Sequence, residues 1–215
     1  MQVVAQDILT AAAFFDRVSE NYGGIEDYSA EISITSTTEA DNRQNSGGVL
    51  VYRTPNRIRI DFEDPVGQVL VTDGEILMVY IPVYNVVLQQ NLRRRSEESL
   101  AGLASEQGLN LLKRNYSIAY LDTPDRVPLE EDSDEMVTKL KLDWRSTNEG
   151  YRQLILSIDE DFVIRRIVGV TVNYREVQFD FFDVQLNQGI PEARFDYEPP
   201  GSANLFTNFL FEGEG

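Results

Sequence analysis

The sequence predicts a mainly β protein built on an antiparallel sheet of about eleven strands, with one oily face and two helices to cover it. Three observations predict it. Apolar and polar residues alternate over much of the chain, in runs of strand length. Short turn signals such as Thr54-Pro55-Asn56, Asp64-Pro65 and Asp73-Gly74 separate those runs, which favours hairpins over parallel crossovers. The period lengthens to a helical one in only two places.

The first is Asp7 to Asn21, where Ile8, Leu9, Ala12, Phe15 and Val18 recur at helical spacing until Gly23-Gly24 stops the pattern. The period then drops to two, with Tyr28, Ala30, Ile32 and Ile34 alternating with Ser29, Glu31, Ser33 and Thr35. Further strands are expected near Gly48–Arg53, Arg57–Phe62, Gln68–Thr72, Ile76–Ile81 and Val86–Gln90. Asp73-Gly74 carries the strongest hairpin signal, that of a type I′ turn. A second helical stretch from Ser96 to Leu112 places Leu100, Leu103, Ala104, Leu111 and Leu112 on one side, and Gly102 and Gly108 make it a weak helix suited to a movable lid. Strands resume at Tyr116–Leu121, Met136–Trp144, Gln153–Ile158, Val163–Val170 and Gln178–Leu186. The acidic run Glu130 to Glu135 lacks the spacing of a calcium loop and reads as a solvated tip. No internal repeat is visible.

Along Arg57-Ile58-Arg59-Ile60-Asp61-Phe62 one strand face is charged and the other wholly apolar, and Leu140-Leu142-Trp144 and Leu154-Leu156-Ile158 repeat the pattern. A sheet this wide curls into a barrel whose own side chains do not readily fill it, so helices or a ligand must occupy the interior. Alternation alone favours an ordinary filled core over a ligand cavity.

Composition narrows the chemistry. The chain has no histidine and no cysteine, which removes the common zinc ligand sets, thiol catalysis and histidine-based triads. Its formal net charge of −17 opposes binding to nucleic-acid phosphates or anionic lipid surfaces and points to basic partner surfaces. No stretch has the length of a spanning helix. Asp61 and Glu63 share a strand face and are the residues from which a paired-carboxylate hydrolase would be built, but their arginine neighbours favour a salt-bridged surface. No cofactor is expected.

Three segments together resemble the LolA family of periplasmic lipoprotein carriers. They are Gly47 to Arg59, Val69 to Pro82 through Asp73-Gly74, and Val184 to Pro200 with its closing Pro199-Pro200. Their order and spacing agree with the family over nearly the whole chain, from the first helix to Pro200. The resemblance implies a single domain: an incomplete antiparallel barrel whose concave apolar face is covered by helices, with acyl chains between barrel and lid. It implies a periplasmic chaperone, not an enzyme, that receives acylated lipoprotein or lipid cargo from an inner-membrane release complex and passes it to an outer-membrane acceptor. Such a protein is expected to be a monomer with only transient membrane contact. Residues 1–6 then read as the remnant of a removed signal peptide and residues 201–215 as a tail able to add an edge strand. The expected acyl-chain lining is Ile32, Ile34, Ile58, Ile60, Phe62, Met78, Leu140, Leu142 and Trp144, and the expected lid residues are Leu100, Leu103 and Leu111.

Two positions depart from the family. The arginine that precedes the proline, and latches the lid in the family, is here Thr54, and Arg53 beside it faces the other side of the strand. Met78 stands where the family often has tryptophan. The alternative to a carrier is a lipid-binding sensor or regulatory module of the envelope on the same fold. A membrane-anchored acceptor would instead need a lipidated cysteine.

Overall fold

The structure is a computed structural model that describes residues 9–37, 43–91, 104–147 and 150–207. Helix α1 (Ala11–Gly23) begins at Thr10, whose hydroxyl accepts the Ala13 N–H at 3.2 Å, and ends at Gly24. Strands β1 (Asp27–Thr37), β2 (Arg43–Arg53), β3 (Arg57–Asp64), β4 (Val69–Thr72), β5 (Ile76–Ile81) and β6 (Val86–Asn91) follow as a meander. Helix α2 (Glu106–Asn115) leads into β7 (Tyr116–Tyr120), β8 (Val127–Pro128), β9 (Met136–Trp144), β10 (Tyr151–Ile158), β11 (Ile164–Thr171) and β12 (Glu176–Leu186), and β13 (Asn204–Thr207) closes the chain.

All thirteen strands join one open sheet in the order β13-β6-β5-β4-β3-β2-β1-β12-β11-β10-β9-β7, with β8 beside β9. The long-range pair β1–β12 joins the two meanders, and every pair is antiparallel except β13–β6. The two additions to the expected strands are β8, of two residues, and β13, the edge strand that the apolar tail foreshadows.

The helix expected over Ser96–Leu112 appears as α2 from Glu106, and Leu100 and Leu103 lie outside the described residues. Gly108 falls in the first turn of α2, where its N–H reaches the Ser105 hydroxyl at 3.1 Å, so it costs less there than in a helix interior. Glu106 at the start and Lys113 and Arg114 at the end complement the helix dipole. The Asp73-Gly74 hairpin forms by a different device from the expected type I′ turn. Only Gly74 has positive φ (92°), while the Asp73 carboxylate accepts the N–H groups of Glu75 and Ile76, both at 2.8 Å. Those two bonds hold Asp73 below its ordinary range against the opposing effect of burial.

Cross-strand register defines two faces. On one, Ile58, Ile60 and Phe62 join Leu50, Tyr52, Leu140, Leu142, Leu154, Leu156, Ile158 and Ile167 in a buried cluster with Phe15 and Val18 of α1 and Leu109 and Leu112 of α2. This is the concave face. At Gly48 the strands approach so closely that an added Cβ would lie 2.2 Å from the Asp61 carbonyl oxygen, which explains the glycine at a β2–β3 bulge.

The convex face of β3–β5 is covered by the chain's own C-terminal segment. Asp27, 1% exposed, accepts the backbone N–H groups of Gln188 at 2.7 Å and of Gly189 and Ile190, each at 3.0 Å, just after β12 ends. From there the chain crosses the sheet: Arg53 donates to the Ile190 carbonyl, Arg57 pairs with Glu192 at 2.9 Å, and Arg59 reaches the Arg194 carbonyl at 3.0 Å. Asp61 is held between Arg59 and Arg194, at 2.8 and 2.9 Å, while Glu63 is exposed. Phe195, Val51, Val69 and Val71 are buried outside the main cluster, the three valines on this face.

The acidic run is less free than a solvated tip, because Glu130 and Glu135 pair with Arg166 and Arg165 of β11 at 2.6 and 3.5 Å. The hydrogen bond from Arg166, then its charge, holds Glu130 below the ordinary carboxylate range.

Asp27→Ala removes the buried carboxylate that three part-buried N–H groups share, and chemical denaturation should show a loss of about 2 kcal/mol, whereas a loss below about 0.5 kcal/mol would refute the clamp. A depressed carboxylate stabilises the fold above its unfolded pKa and loses that contribution as pH falls through the folded value. The Tm difference between wild type and Glu130→Gln should therefore be present at pH 7 and vanish as pH drops below the ordinary glutamate range, and a difference that persists in acid would contradict it.

Candidate functional site

The concave face is mainly apolar, with Thr72, Gln90 and Thr138 as buried polar exceptions, and its cover is not uniform. At the β9–β12 side, Leu140, Leu142, Leu154, Leu156 and Ile158 are each 0% exposed. Across β4 to β6 the same face continues as Leu70, Leu77, Val79, Ile81, Val86 and Leu88, fixed by the pairs Ile60↔Leu70, Leu70↔Val79 and Val79↔Leu88, and all six are only half-buried. The buried core thus passes without a break into a half-exposed apolar surface. Surface of this kind, contiguous across neighbouring strands, suits an alkyl chain or another apolar ligand.

Most of the expected lining residues share this face. Ile32, Ile58, Ile60, Phe62, Leu140 and Leu142 are buried within the main cluster, and Ile34 and Trp144 are half-buried against it. Met78 is a correction. It stands opposite Val71, which stands opposite Arg59, so its side chain belongs to the convex face. Strand β5 is apolar at every position, so alternation carries no face information there and only the pairing register decides. The same silence hides Leu70, Leu77 and Val79 from sequence reasoning. Of the expected lid residues described, Leu111 is half-buried, while its neighbours Leu109 and Leu112 anchor α2.

Polar ties join the helices to the rest at several points: Tyr22 of α1, for one, accepts the Ile164 N–H at 3.1 Å. Tyr28 of β1, 3% exposed, stacks on Tyr52 with ring centroids 5.1 Å apart and donates its hydroxyl to the Ala104 carbonyl at 3.0 Å, one residue before the α2 cap. Burial raises the Tyr28 pKa well above the ordinary tyrosine value, and burial pushes Tyr52 up to about 12, so both hydroxyls keep their protons throughout the physiological range. Lys113 of α2 pairs with Asp16 of α1, and Tyr120 donates to the Leu9 carbonyl at 2.8 Å. Thr54 turns away from the helices, giving both its N–H and its hydroxyl to the Glu26 carbonyl at 2.9 and 3.2 Å. Among the described residues, Tyr28 ties β1 to the start of α2, and Arg145, just after β9, ties its end by donating to the Arg114 and Asn115 carbonyls at 3.3 and 2.9 Å, whereas Thr54 before the proline makes no such tie.

A cleft of 290 Å³ lies elsewhere, where Glu31, Val49, Glu63, Asp64 and Phe182 meet around Gly47 and Gly48. Its three carboxylate side chains suit an alkyl chain poorly. No described helix is long and apolar enough to cross a membrane.

These features define one open, mainly antiparallel sheet with an apolar face that the described helices partly cover. The family model described as outer membrane lipoprotein carrier protein LolA matches residues 29–198, and the chain belongs to that family. Outer-membrane lipoprotein carrier proteins of Pseudomonas aeruginosa and Coxiella burnetii are each 24% identical to it, the first over 162 residues that cover 74% of this chain and 70% of the relative, the second over 157 residues that cover 73% and 68%. Among solved structures, an uncharacterized conserved protein from Thermus thermophilus superposes with a TM-score of 0.57 at 14% identity, over 92% of this chain and 98% of the other. A chain of the Pseudomonas aeruginosa MucA/MucB complex gives 0.53 at 12% identity, over 87% of this chain and 61% of the longer one. At these identities the structural likeness is one of fold.

Tyr28→Phe keeps the ring stack and removes one buried hydrogen bond, with an expected cost of about 1 kcal/mol and faster amide hydrogen exchange confined to α2. Exchange in α2 that is unchanged would mean that Tyr28 does not hold α2.

Proposed function

We propose that the protein is a periplasmic carrier that takes up the acyl chains of a lipoprotein or lipid on its concave face and carries them, as a monomer and a single domain, between an inner-membrane donor and an outer-membrane acceptor. The observation that carries the reading is the half-exposed apolar surface of β4–β6, which continues the buried core. Membership of the LolA family and the lipoprotein-carrier relatives support it.

The task is one of shielding. Each methylene moved out of water gains about 0.8 kcal/mol, so a chain of lipid length does not cross an aqueous compartment exposed. A carrier must also release, and the features of the cover favour release. Helix α2 has ten residues, buries only Leu109 and Leu112, and joins α1 through a half-exposed ion pair. Such a cover opens at small cost compared with global unfolding. Ile32, Ile58, Ile60 and Phe62 form the floor that an opening of α2 exposes further, and they act in this reading as the deep part of the site. A net charge of −17 keeps the loaded protein off anionic bilayer surfaces. The chemistry proposed is binding without turnover: Asp61, the carboxylate from which a hydrolase would start, is committed to two arginines.

A second reading, a lipid-responsive sensor on the same scaffold, is raised by the fold shared with a chain of the MucA/MucB complex. It predicts a stable protein partner in addition to lipid.

A titration with a fluorescent fatty-acid probe distinguishes a working concave face from inert surface. Wild type should bind saturably, and Val79→Asp, which places a carboxylate on a half-exposed position, should weaken uptake at least tenfold while leaving the circular dichroism spectrum intact. Undiminished uptake by a folded Val79→Asp protein would refute the placement of the site.

A further inference from the structure

The register of the last strand extends the concave apolar face beyond β6. Leu50, Ile60, Leu70, Val79 and Leu88 stand opposite one another strand by strand, and Phe206 of β13 stands opposite Leu88. Exposure rises along this row, from 0% at Leu50 and 1% at Ile60, through half-buried Leu70, Val79 and Leu88, to 54% at Phe206. The strand that presents Phe206 is four residues long, runs parallel to its neighbour in a sheet that is otherwise antiparallel, and has all four residues exposed. It is tied down mainly at its start, where Asn85 donates to the Ser202 carbonyl at 2.8 Å and accepts the Asn204 N–H at 2.9 Å. A phenylalanine left half in water at the rim gains little for the fold, so core packing does not account for it.

We propose that β13 is the outer wall of the acyl-binding face and that Phe206 contacts the part of a long acyl chain that β4–β6 alone cannot cover. This rests on the carrier reading above and adds to it a chain-length requirement that the tail supplies. Strands are about 4.8 Å apart, so the row from Leu70 to Leu88 spans about 10 Å, and the row from Leu70 to Phe206 about 14 Å. An extended alkyl chain advances about 1.25 Å per methylene, given carbon–carbon bonds of about 1.5 Å. A chain of about eight carbons is therefore matched by Leu70, Val79 and Leu88, whereas the chains of sixteen or eighteen carbons common in membrane lipids, about 20 Å long, need the whole row out to Phe206 as well as part of its buried end. Leu205 is similarly exposed, at 57%, but pairs with Val87 and faces the convex side. The strand thus carries its own internal control.

The test is competition for a fluorescent acyl probe by octanoate and by palmitate, using the full chain as wild type, Phe206→Asp and Leu205→Asp. Phe206→Asp should weaken palmitate binding about tenfold and octanoate binding less than threefold, because a charge at the rim removes cover from several methylenes of the longer chain only. Leu205→Asp should leave both unchanged. Equal losses in the two variants would assign the effect to attachment of β13 and overturn the inference, as would equal losses for the two chain lengths. Wild-type binding with no change in Phe206→Asp removes the inference and leaves the carrier reading standing. A wild type that binds neither acid removes the carrier reading, and this inference with it.

Discussion

The rest of the structure depends on one constraint: a sheet of thirteen strands has more apolar inner surface than the two short helices among the described residues cover. Where α1 and α2 lie, Phe15, Val18, Leu109 and Leu112 are at most 1% exposed and the sheet beneath them is closed to water. Across β4–β6 the inner aliphatic side chains Leu70, Leu77, Val79, Ile81, Val86 and Leu88 are only half-buried. A protein that needed no ligand would gain by making those positions polar, since half-exposed aliphatic surface invites association. Keeping them apolar makes sense if something apolar comes and goes there. The open sheet edge and the partial cover are then two aspects of one requirement, an apolar surface that can be reached.

The outer face obeys the opposite logic. It is held by directed polar contacts, with Asp27 gathering three backbone donors where the chain leaves β12, and Arg53, Arg57 and Arg59 receiving the segment that follows. Charged hydrogen bonds have strict geometry and fix position, whereas apolar contacts tolerate exchange of partners. On the carrier reading, the division places rigidity on the side away from cargo and adaptability on the side toward it. It also delivers β13 to the β6 edge.

Much of this is legible in the sequence because period-two alternation reports faces directly. Ile32, Ile58, Ile60 and Phe62, read from alternation with charged or polar neighbours, share one buried cluster with Leu140 and Leu142. Legibility ends where alternation does. In Ile76-Leu77-Met78-Val79-Tyr80-Ile81 every residue is apolar, so alternation assigns no face, and the family resemblance alone placed Met78 in the lining; the pairing register puts it on the other face. The Asp27 clamp is invisible for a related reason, since its partners lie about 160 positions away and are backbone groups that leave no side-chain signature. Arginines 165 and 166 likewise show nothing in sequence of the acidic run that they hold. The helix expected from Ser96 rests on spacing that mixes two glycines with leucines, and the described part keeps only its second half, beginning where Ser105 can cap it.

A carrier differs from a stably folded core in one measurable respect: it leaves the cell with something in it. Native mass spectrometry of the protein isolated without detergent tests that difference directly. The expected result is a population heavier than the bare chain by a lipid or acylated-peptide mass, released intact on mild activation and identifiable by its fragments. A bare-chain mass alone, in protein that also fails to acquire lipid when mixed with vesicles, would contradict the carrier reading and leave the half-exposed face as a surface for a protein partner.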